Sequence, residues 1–225
     1  MSGRLIVLDV DSTLITSEVI ERIAARAGTE AEVAAVTESA MRGEIDFAES
    51  LRQRVATLEG VPDSVFAEVI AEVELTPGAE ELIGTLQGEG WTAALVSGGF
   101  AEIVESLARR VGITRFRANR LEVADGRLTG RTVGPVIDRA AKAQALREFC
   151  AELGISPADS VAVGDGARSV DALAATFSVP RRAFTAVAHT WETAGSDDGT
   201  ARVGARAGDE EVEVNLRVDN SAPEL

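Results

Sequence analysis

The feature that most constrains this chain is the stretch from Arg4 to Ile15, which reads RLIVLDVDSTLI. Its apolar part, Leu5 to Leu8, is rich in branched residues and is typical of a strand buried on both faces of a parallel sheet. Two acids, Asp9 and Asp11, follow where that strand would end. Because open α/β sheets bind ligands at the carboxyl ends of their strands, the sequence predicts a functional site at these acids.

Two acids at this spacing favour two kinds of chemistry. Their oxygens can hold a divalent metal, or one acid can act as nucleophile while the other transfers a proton. A simpler interpretation is a helix N-cap, since Asp, Ser and Thr all favour that position. The pair therefore indicates a site only if partner residues occur elsewhere in the chain.

Composition narrows the class of protein. The chain has 225 residues, of which 45% are hydrophobic and 26% charged, and it contains no Tyr, so we expect a globular protein with an aliphatic core. The net charge of -15 disfavours nucleic acid or an anionic membrane as a partner. An anionic substrate would therefore need a local positive charge or a metal.

Cysteine content and hydropathy narrow the class of protein further. Cys150 is the single cysteine, which leaves no disulfide framework and no Cys-based metal site, and its helical apolar pattern predicts a core position. There is no targeting pattern and no apolar run of membrane-spanning length, so we expect a cytoplasmic protein. The oligomeric state is left open.

Residues 16–75 are predicted to form an all-helical insert. Their apolar residues recur at helical spacing in four segments, without an intervening strand pattern. The predicted fold class is α/β: a Rossmann-like parallel sheet flanked by helices, built from residues 1–15 and 76–225. Residues 16–75 would form a small helical-bundle cap after the first strand and cover its acidic end.

The next part of the chain alternates between helices and strands. Thr76 and Pro77 are predicted to open a helix that ends at about Gln87. A second buried strand, residues 91–96, ends in Ser97-Gly98-Gly99-Phe100, and another helix follows over 101–111. A strand, turn and helix in this order can point backbone N–H groups at an anion, although Gly-Gly is also common in plain tight turns.

Three further features follow. Asp125-Gly126 lies between two short strand patterns and predicts a hairpin with a two-residue turn. Asp138 opens a helix with Lys142 near its start, where the helix dipole disfavours a cation, so Lys142 is either functional or simply solvated. A third strand, residues 160–163, ends close to Asp165.

The last part of the chain, residues 177–225, is less patterned, and its fold is uncertain. Short strands are predicted at 177–179 and 184–187. An alternating edge strand is predicted at 211–216, and a Gly- and Ser-rich mobile loop at 194–209.

Four features of the chain suit phosphoryl transfer. Asp9 with Asp11, then Ser97, Lys142 and Asp165, each follow a predicted strand or open a predicted helix. Carboxylates can serve as nucleophile and metal ligand, while a hydroxyl and an ammonium group can bind phosphate oxygens. Each feature is weak alone, but together and in this order they are a strong signal.

With these residues the chain resembles the haloacid-dehalogenase-like (HAD-like) phosphatases, and within them the phosphoserine phosphatases, over about residues 4–167. Asp9 to Thr13 is similar to the DxDST first motif, Ser97 to Phe100 to the second, Lys142 to the third and Gly164 to Ala167 to the fourth. The insert also resembles that subgroup, in the stretches SEVI, AMRGE and SLRQRV.

The resemblance implies a role for each residue. Asp9 would form an aspartyl-phosphate, and Asp11 would act as general acid and base. Mg²⁺ would be held by Asp9, the backbone carbonyl of Asp11 and Asp165. The resemblance further implies phosphate contacts from Ser97, Gly98 and Lys142, and substrate contacts in the cap from Glu18, Met41, Phe47 and Arg54.

The fourth motif departs from the family, which has GDGAND at this point. Arg168 replaces an Asn near the phosphate, and it would either neutralise the phosphate or block the site. Ser169 replaces an acid that supports the metal, so we expect weaker Mg²⁺ binding. Asp171 is a poor substitute, because on a helix it points about 200° away from Ser169. After Leu173 the resemblance stops, and divergence, an error in the sequence and a decayed enzyme are three open explanations.

The main functional hypothesis is Mg²⁺-dependent hydrolysis of O-phospho-L-serine in serine biosynthesis, with activity impaired by Arg168 and Ser169. One alternative is a phosphatase for another small phosphomonoester. Another is a catalytically inactive pseudo-phosphatase that binds a phosphorylated ligand. A dinucleotide-binding protein is disfavoured, because DVDST and not a Gly-rich turn follows the first strand.

Overall fold

A five-stranded sheet forms the centre of the fold. The computed structural model describes residues 4–164 and the backbone of 192–195, 200–207 and 210–217. The sheet has the strand order β4-β3-β2-β1-β5, in which β4 alone is antiparallel to its neighbour. Its strands are β1 (Arg4–Leu8), β2 (Trp91–Phe100), β3 (Arg115–Ala124), β4 (Arg127–Val133) and β5 (Ser160–Val163).

Seven α-helices accompany this sheet in the described part of the chain. Four of them lie in the insert predicted for residues 16–75, a fifth lies between that insert and β2, and the other two follow later in the chain. The bounds are α1 (Val19–Ala27), α2 (Glu30–Met41), α3 (Phe47–Ala56), α4 (Val65–Glu72), α5 (Ala79–Gly88), α6 (Ala101–Arg110) and α7 (Arg139–Leu153). The predicted α/β class, with a mainly parallel sheet flanked by helices, is confirmed.

The register of the central strands brings their carboxyl ends together. Leu8, the last residue of β1, pairs with Leu95 of β2 on one side and with Val163 of β5 on the other. The Asp9 backbone N–H then donates to the Val163 carbonyl at 2.8 Å. The residues that follow β1 and β5 therefore lie at one edge of the sheet.

Strand β1 is buried on both faces, as its apolar run predicted. Leu5 and Val7 pack with α7 residues such as Phe149, whereas Ile6 and Leu8 pack in a second cluster on the opposite face. Successive side chains of a strand point to opposite faces, so an unbroken apolar run suits a strand covered on both sides. Cys150 is buried in the α7 cluster, which confirms its predicted core position.

The hairpin predicted around Asp125-Gly126 is present between β3 and β4. Asp125 has a φ of 51° and Gly126 a φ of 73°, which are the positive values that a type I′ turn needs at both central residues. In addition, β3 begins at Arg115 and pairs in parallel with β2, a pairing that the hairpin pattern did not predict.

Three sequence-based boundaries are wrong. Thr76 does not cap α5: the helix begins at Ala79, and the Thr76 hydroxyl donates to the Thr13 carbonyl at 2.6 Å. Strand β2 continues through Phe100 instead of ending at Val96. The stretch predicted as a loop at 194–209 contains a complete strand, Thr200–Ala207, and the end of another, because these residues find antiparallel partners in a second sheet.

The strands of this second sheet are β6 (Glu192–Gly195), β7 (Thr200–Ala207) and β8 (Glu210–Arg217). The edge strand predicted at 211–216 is confirmed, since among the described strands β8 pairs with β7 alone. The strands predicted at 177–179 and 184–187 lie outside the described residues.

Candidate active site

The two acids that follow β1 are held by an irregular turn. Residues Val10–Leu14 form a single turn, interrupted by extended backbone at Asp11 and by a positive φ of 52° at Ser12. The Asp9 carboxylate caps this turn by accepting from the Val10 backbone N–H at 2.8 Å. Asp9 therefore occupies the N-cap position of this turn at the sheet edge, but its bond goes to the first N–H of an irregular turn and not to the second or third N–H, as in a helix cap.

Asp9 and Lys142 form an ion pair at this edge. The Lys142 ammonium donates to the second Asp9 carboxylate oxygen, and their side chains are only 17% and 11% exposed. Lys142 lies in the first turn of α7, whose start is capped by Asp138 accepting from the Ala141 backbone N–H at 2.8 Å. A largely desolvated pair of this kind holds a cation next to a potential nucleophile.

Asp11 joins three parts of the molecule. One carboxylate oxygen accepts from the Val19 backbone N–H at 2.7 Å, at the start of α1, and the other accepts from the Ser97 hydroxyl at 3.1 Å. Burial raises the pKa of Asp11, and the nearby Asp9 carboxylate adds to the rise, while the two hydrogen bonds and Lys142 oppose it. A raised pKa suits a carboxyl group that must carry a proton during catalysis.

Strand β2 bulges as it reaches the site. Val96 pairs with Arg117 and Phe100 pairs with Asn119, so four steps along β2 match two steps along β3. Within the bulge Ser97 is fully buried and its hydroxyl accepts from the Gly99 backbone N–H at 2.8 Å. Position 99 requires glycine, because a Cβ atom there would lie 2.6 Å from an Asp11 carboxylate oxygen.

A cavity of about 220 Å³ opens between the sheet edge and the insert. It is polar at the sheet and mixed at the insert, so it offers both charged and apolar contacts to one small ligand. The lining residues are Asp9, Asp11, Glu18, Ile20, Phe47, Leu51, Arg54, Gly98, Gly99, Phe100 and Lys142.

The insert contributes both signs of charge to this cavity. Glu18 accepts from the Ser12 hydroxyl at 2.8 Å. Burial lowers the pKa of the Arg54 guanidinium, and the neighbouring carboxylates of Glu18 and Asp11 oppose that change. The Phe47 ring packs on Gly98, where an added Cβ would meet it at 3.1 Å. The cavity thus places a carboxylate, a guanidinium and an aromatic ring opposite the Asp9–Lys142 pair.

The structure brings most of the predicted site residues together. Asp9, Asp11, Glu18, Phe47, Arg54, Gly98 and Lys142 line the cavity, and Ser97 lies behind it against Asp11. Met41 is different: it ends α2, is 80% exposed and is not among the lining residues. Asp165 and Arg168 lie outside the described residues.

The donors at the sheet edge suit a hard divalent cation. Asp9 and Asp11 both offer carboxylate oxygen, which Mg²⁺ prefers. The two Asp9 oxygens accept from the Val10 N–H and from the Lys142 ammonium, and the two Asp11 oxygens accept from Val19 and Ser97. A bound cation would therefore displace Lys142 from Asp9 or share an oxygen that already has a donor. Between residues 4 and 164 no group of three His, Cys, Asp or Glu residues forms a metal cluster, and the predicted third ligand, Asp165, lies beyond that range.

Sequence reasoning missed Asn119. This side chain is buried, donates to the Gly98 carbonyl at 2.8 Å and accepts from the Ile137 backbone N–H at 2.7 Å. The available signal was a polar residue two positions before Leu121, at a spacing that puts both on the buried face of β3.

Comparison with known proteins identifies the family. The family model for haloacid dehalogenase-like hydrolases matches residues 6–173, which agrees with the resemblance read from the motifs and with its end after Leu173. The chain is 55% identical over 172 residues to a phosphoserine phosphatase of Mycobacterium tuberculosis, covering 76% of this chain and 42% of that protein. It is 46% identical over 166 residues to a phosphoserine phosphatase of Streptococcus thermophilus, covering 74% and 77%.

Solved structures give the same result. A phospho-aspartyl intermediate analogue of phosphoserine phosphatase matches with a TM-score of 0.71 and 40% identity, covering 77% of this chain and 82% of the other.

The chain spans less than half the length of its Mycobacterium tuberculosis and Streptomyces coelicolor relatives. No helix in the described part of the chain is long and apolar enough to cross a membrane. The chain belongs to the haloacid dehalogenase-like hydrolases, in the group that contains the phosphoserine phosphatases.

Proposed function

We propose that this chain is a Mg²⁺-dependent phosphatase that hydrolyses O-phospho-L-serine to L-serine and phosphate. The observation that carries the proposal is one cavity between the sheet and the insert. It combines the Asp9–Lys142 pair and Asp11 on the sheet side with Glu18 and Arg54 on the insert side. One end of the cavity suits a phosphate group, and the other suits an amino acid.

At the sheet end, Asp9 would attack phosphorus and form an aspartyl-phosphate, while Lys142 moves from Asp9 to the phosphate oxygens. Asp11 would donate its proton to the leaving serine oxygen and then take a proton from the attacking water. The raised pKa of Asp11 supports its role as the acid. Gly98 lines the cavity and would contribute its backbone N–H to the phosphate.

Mg²⁺, held by Asp9, the Asp11 backbone carbonyl and Asp165, would neutralise phosphate charge during the transfer. Asp9 supplies the oxygen chemistry that this ion prefers. The negatively charged chain makes such neutralisation important, because its net charge of -15 disfavours a phosphate ester. Serine biosynthesis is the pathway that this reaction would serve.

At the insert end, Glu18 would meet the substrate ammonium group and Arg54 its carboxylate. Arg suits a carboxylate because its planar guanidinium can donate two parallel hydrogen bonds. Residues 16–75 would act as the cap of a two-part protein, in which residues 1–15 and 76–225 form the other part. Phe47 would shape the pocket, and Met41 would reach it only if the cap closes further.

The fourth motif bears on how active the enzyme is. Arg168 and Ser169 replace the Asn and the acid of the family pattern. Ser169 carries no negative charge, so Mg²⁺ would bind more weakly, and the same departure favours the binding-only alternative of a pseudo-phosphatase.

The deciding experiment is phosphate release from O-phospho-L-serine over a wide Mg²⁺ titration. Asp9→Asn is the control that removes the proposed nucleophile, and Arg54→Lys is the control that weakens recognition of the substrate carboxylate. We expect turnover that saturates at high Mg²⁺, disappears in Asp9→Asn and shows a KM raised about 10-fold or more in Arg54→Lys. The double variant Arg168→Asn with Ser169→Asp should lower the Mg²⁺ concentration needed.

Two results would point elsewhere. Binding of O-phospho-L-serine without turnover at any Mg²⁺ concentration would support the pseudo-phosphatase. Turnover of several small phosphomonoesters with equal efficiency, and with no penalty in Arg54→Lys, would support a phosphatase for another substrate.

A further inference from the structure

A buried chain of hydrogen bonds runs from β3 to the side chain of Asp11. The Ile137 backbone N–H donates to Asn119 Oδ1 at 2.7 Å, and Asn119 Nδ2 donates to the Gly98 carbonyl at 2.8 Å. On the far side of the same peptide unit, the Gly99 N–H donates to Ser97 Oγ at 2.8 Å. Ser97 Oγ then donates to Asp11 Oδ2 at 3.1 Å. Each bond in this chain constrains the next.

The orientation of the Asn119 amide is determined by its partners. The Ile137 backbone N–H can only donate, so it must face the amide oxygen, and the Gly98 carbonyl can only accept, so it must face the amide nitrogen. Asn119 is 1% exposed, which shields both bonds from water. A buried amide with both ends engaged is well suited to hold backbone in one orientation.

The bulge in β2 explains why a side chain is needed here. Because four steps along β2 match two along β3, residues 97–99 lose the regular ladder between the strands. Asn119 supplies a donor to the Gly98 carbonyl in place of that ladder. The Gly98–Gly99 peptide is thus held at its carbonyl by Asn119 and at its N–H by Ser97.

Asn119 also reaches the element that carries Lys142. Ile137 directly precedes Asp138, the residue that caps α7, and Lys142 lies in the first turn of that helix. One side chain therefore connects the Ser97–Gly99 bulge to the start of α7. These are the two segments from which Gly98 and Lys142 face the cavity.

We propose that Asn119 is a positioning residue of this active site. It sets the plane of the Gly98–Gly99 peptide, and through Ser97 it sets the orientation of the Asp11 carboxyl group; its catalytic effect rests on the proposed function. Asn119 itself does not line the cavity and would not touch the substrate.

The test compares two substitutions in the full-length chain. Asn119→Leu keeps the approximate size of the side chain and removes both hydrogen bonds. Asn119→Asp keeps the shape and the acceptor for Ile137 but places an oxygen against the Gly98 carbonyl, so it tests the same bond if the Leu variant folds poorly. Ser160→Ala is the matched control, because Ser160 is also buried, is 3% exposed and donates to the Pro157 carbonyl at 2.7 Å, at the start of β5.

Two readouts separate positioning from general stability. Because misplacing a catalytic group by about 1 Å costs on the order of 100-fold in rate, we expect kcat for O-phospho-L-serine to fall about 10- to 100-fold. KM should change less than about 3-fold, because Glu18 and Arg54 are untouched. Amide hydrogen exchange at Gly99, followed by NMR, should become faster in both Asn119 variants and stay unchanged in Ser160→Ala.

Each outcome decides the proposal. Unchanged kcat in the folded Asn119 variants would overturn it, as would unchanged exchange at Gly99. An equal loss of kcat in Ser160→Ala would also overturn it, because the effect would then reflect stability. If the wild-type chain fails to hydrolyse O-phospho-L-serine, the proposed function fails, whereas Gly99 exchange still decides whether Asn119 holds the bulge.

Discussion

Asp11 illustrates how a single side chain can serve structure and chemistry together. Its carboxylate accepts from Val19 at the start of α1 and from Ser97 in the β2 bulge, so it links the insert to the sheet. It also lies beside Asp9 in a desolvated site, and burial raises its pKa. Ionised Asp11 is therefore costly to the fold, even though both of its carboxylate oxygens have hydrogen-bond partners.

Replacing Asp11 by Asn should separate these two roles. Activity should fall by about 100- to 10,000-fold, because the proposed general acid is lost. The stability of the fold should show a second effect, because ionisation of Asp11 destabilises the wild-type protein as pH rises. A carboxyl pKa raised by folding means that the native state loses stability as pH rises from the unfolded pKa through the folded pKa. Asn cannot titrate, so the variant escapes that loss.

The measurement is thermal unfolding of both proteins in EDTA at pH 3.5 and pH 7. The difference in Tm, variant minus wild type, should be more positive at pH 7, because other titrating groups are shared and cancel. A difference that is equal at both pH values, or larger at pH 3.5, would contradict the raised pKa of Asp11.

At the scale of elements, the β3–β4 hairpin docks against the insert. The Gly60 N–H donates to the Leu128 carbonyl and the Leu128 N–H donates to the Val61 carbonyl, both at 2.8 Å. Gly130 allows this approach. It has a φ of 73°, and a Cβ atom there would lie 3.3 Å from the Ala56 carbonyl oxygen. The hairpin therefore connects the loop after α3 to the edge of the main sheet.

Gly130→Ala should weaken this docking. A positive φ alone costs an L-residue about 1–2 kcal/mol, and contact with Ala56 adds to that cost. Gly134→Ala is the matched control, because Gly134 has a φ of 82° and no atom within 4 Å of an added Cβ. Urea unfolding should show a larger loss of stability for Gly130→Ala than for Gly134→Ala. Equal losses would indicate that the hairpin contact contributes nothing beyond backbone strain.

At the scale of the whole molecule, insert and sheet share one apolar cluster. Leu58 from the insert packs in the same cluster as Leu95 of β2 and Ile6 of β1, while Leu146 of α7 packs on the opposite face of the sheet. Strand β1 contributes to both clusters. An insert that shares its core with the sheet should not unfold alone.

Leu58→Ala and Leu146→Ala test this cooperativity. Both side chains are buried, so each substitution should cost about 2–5 kcal/mol. Urea unfolding followed by far-UV circular dichroism and by hydrogen exchange of α3 and α7 should give one coincident transition in each variant. A separate early transition of α3 in Leu58→Ala would show that residues 16–75 form an independent folding unit.

Much of the fold was readable because its signals are local. The apolar run of β1, the Asp125-Gly126 turn and the capping of α7 by Asp138 each depend on neighbouring residues, and each was predicted from them. The boundaries at Thr76 and Val96 were wrong because distant partners override local preference. Thr76 bonds to Thr13, and the β2 extension pairs with β3.

The candidate active site also has features that were predicted from the sequence and features that depend on distant partners. By itself the sequence determined which residue types are present and in what order, and the motifs in that order were enough to show the resemblance to the family, since their carboxylates, hydroxyl and ammonium group suit phosphoryl transfer. Only the tertiary structure decided that Lys142 meets Asp9, that Ser97 faces Asp11, that Met41 stays outside the cavity and that Asn119 holds the bulge. The physical reason is that hydrogen bonds and burial act over a few ångströms in space, whereas these partners are far apart along the chain.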